Sequence, residues 1–350
     1  MKEFLKRKDI EVSVQRYAID TLSAMTVGLF ASLVIGLIIQ TIGQQAALWA
    51  GESAVTVFLV TVGAFAMQLT GPAIGVAVAH ALKAPPLAMC ACAAVGWMAY
   101  EPFMEGMKGG GPAGALVCAI VAAECGKMVS KETKIDILVT PIVTIAVGGL
   151  VAKFVGPAVG ALMTTLGQAV MHATELQPFW MGIIISMIVG FVLVAPLSSA
   201  ALCIMLGLSG LAAGAATVGC CTQMIGFAVI SFRANGIGGL FAQGIGTAKL
   251  QMPNVVRNPW IIAPTLLTSA VLGPVATTVF HMENIAAGAG MGTSGLVGQI
   301  GTFTAMGFTT DTLWKVLVLH FGLTAALAYV FYLFFRRIGK IHDADLKLEL

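Results

Sequence analysis

Charge is what this sequence has least of. Asp, Glu, Lys and Arg together make up 10% of its 350 residues, while hydrophobic types make up 58%. An average soluble chain carries about 25% charged residues. A soluble protein of this size could not clothe its surface from such a supply, so a water-facing exterior on all sides is excluded. The signatures of most chemistry are missing too. There is no Walker A loop, no HExxH, no Cys/His zinc spacing and no nucleophile elbow. Nothing therefore points to nucleotide hydrolysis, a metal, another cofactor or a nucleic-acid partner. The seven cysteines are odd in number, and all of them lie in apolar segments (positions 90, 92, 118, 125, 203, 220 and 221). They read as small packing residues, not as a disulfide framework.

What the chain has instead is apolar runs of about 17–25 residues, the length that crosses hydrocarbon as a helix. The expected fold is all-α: a polytopic integral membrane protein with about eight complete spans plus two re-entrant hairpins. The spans are expected at 17–42, 54–82, 87–100, 112–128, 135–155, 178–196, 260–280 and 313–335, with Gly71-Pro72 kinking the second. Residues 1–16 fit an interfacial helix or a solvated tail, and 158–177 an apolar stretch along the outer interface. The Gly-rich stretch 198–232 is expected as two half-depth helices, a first hairpin, and 284–303 as the second. Basic residues resist translocation. All Lys and Arg except Lys108, Lys153 and Lys315 fall on segments that are cytoplasmic if the N-terminus is inside. Both termini are therefore expected in the cytoplasm.

The stretch 273–303, GPVATTVFHMENIAAGAGMGTSGLVGQIGTF, is the most informative. It sets His281, Glu283 and Asn284 at the end of an apolar segment and continues as a Gly-rich run too broken to cross a bilayer. Such a run survives only where protein or a watery cavity surrounds it, and in carriers broken helices hold the substrate. A carboxylate at membrane depth is a functional candidate. Glu and Asn also suit sugar hydroxyls, because one accepts hydrogen bonds and the other both donates and accepts. A boundary position just outside the membrane is the plainer reading of all three. Thr293 and Ser294 offer hydroxyls in the turn, where simple close packing of small residues is the alternative. Gln223, Asn235 and Gln243 could line the same cavity from the first hairpin and the connection after it. Glu124 and Lys127, one helical turn apart, read as a structural pair, and His80, His172 and His320 as packing or interfacial residues.

Several long stretches in order resemble a known family. They are AAECGKMVSKETKIDILVTPIVTIAVGGL, ELQPFWMGIIISMIVG, GLAAGAATVGCCTQMIGFAVISFRANGIGGL, LQMPNVVRNP and the 273–303 stretch. With these the chain resembles the membrane-embedded IIC component of bacterial sugar phosphotransferase systems, and more closely the branch with the PfoR-type toxin regulators. The resemblance implies a homodimer in the bacterial inner membrane. It also implies an N-terminal scaffold and dimerisation domain, 1–175, and a C-terminal transport domain, 176–350, that carries the sugar by an elevator-like movement. A IIB phosphocarrier protein acting in trans would perform the phosphoryl transfer. Glu283 matches the family's acidic sugar-binding residue, with Asn284 and His281 beside it. Ala234 stands where relatives carry Glu, and Ala248-Lys249 departs from the more usual GTSMLQ pattern, so the particular sugar, polyol or sugar acid does not carry over. Two other functions compete with the permease: a secondary carrier independent of phosphorylation, and a membrane-embedded sensor that regulates gene expression.

Overall fold

The computed structural model describes residues 2–348 apart from 12, 106 and 196. Among the described residues no β-strand forms, and the only strand-like pairing is an isolated antiparallel bridge between Gly210 and Asn284. The protein is an all-helical, polytopic membrane protein. Six helices are long and apolar enough to cross a membrane, or seven when one bent pair counts as a single span. Two more of the expected spans are helical but short, at 15 residues for Pro86–Tyr100 and 17 for Pro178–Val194. The chain divides into two compact units, Met1–Thr165 and Leu166–Leu350.

Unit 1 opens with the short α1 (Lys2–Arg7), then the 36-residue α2 (Gln15–Ala50). Next comes α3 (Ala54–Gln68), whose start is fixed by a capping box. The Ser53 hydroxyl accepts from Thr56 N–H at 3.3 Å, and Ser53 N–H donates to the Thr56 hydroxyl at 2.9 Å. α4 (Thr70–Ala81) follows at an angle of 49° to α3. The expected kink is thus present. Pro72 has no N–H for the Gln68 carbonyl, so the ladder opens one turn earlier, at Leu69. The unit continues through α5 (Pro86–Tyr100), α6 (Gly111–Val129), α7 (Asp136–Phe154) and the start of α8 (Gly156–Leu176). Its core mixes small and large side chains: Cys92, Cys118, Ala119 and Ala122 are fully buried beside Met25, Ile74 and Leu82. Among the described residues no disulfide forms.

Unit 2 is wound around one helix. After α9 (Pro178–Val194) and the eight-residue α10 (Ser199–Leu206) comes α11 (Gly210–Ile230), whose apolar window is 89% buried. Packed around it are α14 (Pro259–Val279) and α17 (Thr310–Arg337). Between them lie the short α12 (Phe232–Phe241), α13 (Met252–Arg257), α15 (Ala286–Ala289) and α16 (Val297–Met306). The two half-depth helices expected over 198–232 are not both present. α10 is half-length, but α11 runs unbroken for 21 residues. Its glycines permit contact instead of interrupting the helix. A Cβ on Gly219 would stand 2.0 Å from the Ser186 carbonyl oxygen on α9. One on Gly214 would stand 1.8 Å from the Met282 carbonyl oxygen. Over 284–303 the chain turns back on itself, with the four-residue α15 and the ten-residue α16 facing each other across a glycine turn.

Gly219→Ala should therefore drive α9 and α11 apart. A loss of about 1–3 kcal/mol is expected for such overpacking, read as a lower melting temperature of the detergent-solubilised protein. Gly238→Ala, where an added Cβ meets nothing within 4 Å, should leave the melting temperature unchanged or slightly higher.

Candidate functional site

The broken segment begins where α14 runs out. After Pro274 the helix widens into a π-turn over Val275–Val279, and His281 takes a left-handed conformation (φ 45°). Residues 282–285 then leave the helix, with Asn284 in the bridge to Gly210 and Ile285 extended, before α15 starts. Backbone exposed in this way inside an apolar bundle must find partners, and it does. Met282 N–H donates to the Ala276 carbonyl at 2.8 Å. Asn284 and Gly210 exchange N–H···O bonds of 3.3 and 3.1 Å. Beyond α15, the Ser199 hydroxyl on α10 donates to the Gly290 carbonyl at 2.7 Å. The turn back into α16 uses left-handed Gly292, Gly295 and Leu296 (φ 55°, 51° and 60°).

Asn284 holds this arrangement together. Its side chain is 1% exposed. Its Nδ2 donates to Thr217 Oγ1 on α11 (2.6 Å), to the Gly298 carbonyl (2.9 Å) and, more weakly, to Thr302 Oγ1 (3.2 Å), while Oδ1 accepts from Ile285 N–H at 2.7 Å. The amide can face only one way, because Gly298 offers only an acceptor and Ile285 only a donor. Thr217 and Thr302 donate their own protons to the Ala213 and Gly298 carbonyls, which leaves their lone pairs free for Asn284. Gly288 and Gly301 leave room for the carboxamide, since a Cβ on either would stand 2.4 or 2.3 Å from Oδ1.

The neighbouring residues alternate. Met282 and Asn284 are buried; His281 and Glu283 are exposed. Among the described residues the Glu283 carboxylate has no partner, although its backbone N–H is fixed on Met306 Sδ at 3.3 Å. Thr293 and Ser294 are committed to the fold: their hydroxyls donate to the Gly244 carbonyl (2.5 Å) and the Gly246 carbonyl (2.9 Å). These bonds pin the glycine turn to the segment after α12.

Three amides expected near the site lie in different places. Gln223 is fully buried on α11; its Oε1 accepts from Thr265 Oγ1 at 2.7 Å and its Nε2 has no partner. Gln243 and Asn235 belong to an amide ladder that grips the C-terminal segment. Gln243 Nε2 donates to Ser231 Oγ (2.7 Å), and its Oε1 accepts from Gln251 Nε2 (2.9 Å). Gln251 and Asn235 both donate to the Leu346 carbonyl, at 3.0 and 2.8 Å. Asn254 donates to the Lys347 carbonyl at 2.9 Å, and Leu348 N–H donates to Asn235 Oδ1 at 2.8 Å. Leu346 is fully buried beneath this ladder.

Sequence reasoning passed over one polar pair. His320, fully buried within a π-turn of α17 (Leu317–Leu323), places Nδ1 3.2 Å from Gln299 Nε2 on α16. Gln299 Oε1 and His320 Nε2 have no partner. Exchanging the amide's oxygen and nitrogen, together with the imidazole tautomer, leaves the same result: one open donor and one open acceptor. No local pattern marks this pair, because its members are 21 residues apart on separate helices. The open atoms of Gln223 and of the Gln299–His320 pair lie on different faces of α11, since Gln299 also contacts Cys221 Sγ at 3.5 Å and positions 221 and 223 are about 200° apart around a helix.

Unit 2 thus holds a broken, internally tied segment with buried polar groups, a feature found at the binding sites of membrane carriers. Residues 19–348 match the profile of the family described as Phosphotransferase system, EIIC. The chain belongs to that family and is accordingly a sugar-permease component of a phosphotransferase system. No curated protein matches the chain.

Asn284→Ala should destabilise the fold by about 2–4 kcal/mol, because it leaves several buried groups unpaired. Glu283→Gln should leave the melting temperature within about 1 °C of wild type, since surface changes lie within about 0.5 kcal/mol. Thermal unfolding in detergent measures both. Leu346→Ala should cost about 2–4 kcal/mol and speed proteolytic removal of the C-terminal segment.

Proposed function

We propose that unit 2 binds the sugar, with the Glu283 carboxylate accepting hydrogen bonds from its hydroxyls. The observation that carries this reading is the contrast within one dipeptide. Asn284 is locked on every side, while the carboxylate beside it is held in place by its backbone yet has no partner of its own. A carboxylate whose backbone is anchored and whose oxygens are uncommitted is free to accept hydrogen bonds from a polyol. His281, exposed two residues before Glu283, is a second candidate contact. Thr293 and Ser294 shape the turn, while Asn235 and Gln243 act through the ladder that holds the connection in place.

In this reading unit 1 is the scaffold and dimer contact, and unit 2 moves the sugar across the bacterial inner membrane in an elevator-like step. Both termini are cytoplasmic. The IIB protein phosphorylates the sugar on that side, so the phosphoryl chemistry lies outside this chain. The family likeness and the asymmetry of Lys and Arg along the sequence support this assignment.

A thermal-shift screen of the purified protein against sugars, polyols and sugar acids tests the site. The best stabiliser of wild type should lose at least tenfold in affinity for Glu283→Gln; equal affinity removes Glu283 from the site. In vesicles, uptake should deliver phosphorylated sugar and require phosphoenolpyruvate with the soluble relay proteins. Uptake of unmodified sugar on an ion gradient would favour a secondary carrier.

A further inference from the structure

Unit 1 contains a cavity of about 540 Å³ in which three chain segments meet: the end of α1, the α4–α5 turn and the α6–α7 turn. Five cations line it, Arg7, Lys8, Lys83, Lys127 and Lys131, against two carboxylates, Asp9 and Glu132. The frame is fixed by two of the most buried cations nearby. Lys127, 2% exposed, donates to the Asp9 carbonyl (2.6 Å) and the Leu82 carbonyl (2.9 Å) and pairs with Glu124 at 3.1 Å. Arg16 donates to the same Leu82 carbonyl at 2.9 Å and to Asp9 Oδ2 at 3.0 Å. Three segments far apart in sequence are thereby tied at one point.

The carboxylates are already used. Glu132 is shared by Arg7 at 2.8 Å and Lys8 at 2.5 Å. Asp9 takes both guanidinium nitrogens of Arg16, at 3.3 and 3.0 Å. Hydrogen bonding from Arg16 holds the Asp9 carboxyl below its usual range, and hydrogen bonding from Lys8 does the same for Glu132. Both remain ionised and neither has charge to spare. Lys83, with a side chain 76% exposed, meets only Asp9, at 3.9 Å. Lys131 makes no side-chain ion pair among the described residues. Both lysines occupy left-handed positions just past a helix end (φ 56° and 61°), where glycine is the usual occupant. Left-handed backbone is disfavoured for an L-residue, yet here the two turns place both lysines around one pocket.

We propose that this pocket binds a phosphate monoester, with Lys83 and Lys131 as its principal donors and Arg7 and Lys8 along its wall. Ammonium groups bind phosphate oxygens by charge-assisted hydrogen bonds. The excess of cations over carboxylates favours a dianion over a carboxylate or a neutral solute. Two sources share this chemistry: the headgroup of an anionic phospholipid such as phosphatidic acid, and a soluble phosphate ester. The site needs neither sugar binding nor transport, so it stands or falls apart from the role given to Glu283.

The test is thermal unfolding and titration of the full chain at constant ionic strength. The probes are inorganic phosphate and glycerol 3-phosphate in detergent, then phosphatidic acid against phosphatidylcholine in nanodiscs. Stabilisation by glycerol 3-phosphate assigns a soluble ester; stabilisation by phosphatidic acid alone assigns the lipid. Either result should weaken at least fivefold in the K83Q/K131Q double variant and persist in K83R/K131R, which keeps both charges. The proposal is overturned if neither probe class shifts the wild-type melting temperature. It is equally overturned if K83Q/K131Q binds as tightly as wild type. Should K83Q/K131Q fail to fold, loss of binding in a folded K83R/K131R would also overturn it.

Discussion

A polypeptide that leaves its helix inside an apolar bundle must satisfy every backbone group it exposes, and in unit 2 one carboxamide ties the broken segment to the helices around it. Each unpaired amide in such surroundings costs several kcal/mol. Asn284 offers two donors and an acceptor at the point where α11, α15 and α16 converge, and its backbone pairs with Gly210 at the start of α11. The surrounding choices follow from this. Threonines at 217 and 302 accept because their own protons are spent on the preceding turn. Glycines at 288 and 301 stand aside for the side chain. The turn that reverses the chain is then secured separately by the Thr293 and Ser294 hydroxyls.

This economy explains how a membrane protein can present a carboxylate without burying an unpaired charge. In an extended segment successive side chains face opposite ways. Placing Asn at 284 on the inner face puts 283 on the other, where its charge is accessible. The cost of interrupting the helix is met by neutral groups, and the ionisable group is spared any structural duty.

How much of this was legible depended on how far apart the partners lie. Span positions followed from run length and hydropathy, because hydrocarbon thickness fixes helix length. The bend at Leu69 was readable because Pro72 acts only four residues back. The Glu124–Lys127 pair, at 3.1 Å, was readable for the same reason. Of the two half-depth helices expected over 198–232, α10 is short, but α11 is longer than expected, at 21 residues. A glycine that breaks a helix and one that admits a neighbour look alike in sequence, and only the carbonyls of Ser186 and Met282 distinguish them. Asn235 was recognisable as a polar residue near an apolar hairpin, but its partners Leu346 and Leu348 lie more than 100 residues on. Gln299 and His320 gave no sign of each other for the same reason.

The two ends of the chain are fastened by different forces. The N-terminal segment is held largely by ion pairs, Arg7 and Lys8 on Glu132 and Arg16 on Asp9, of the partly exposed kind that salt screens over about 8–10 Å. Residues 346–348 are held by uncharged carboxamides and a buried leucine, to which electrolyte is nearly indifferent. A rise in ionic strength would thus loosen the leading end while leaving the trailing end clasped, so the surrounding medium grips the polypeptide unequally along its length.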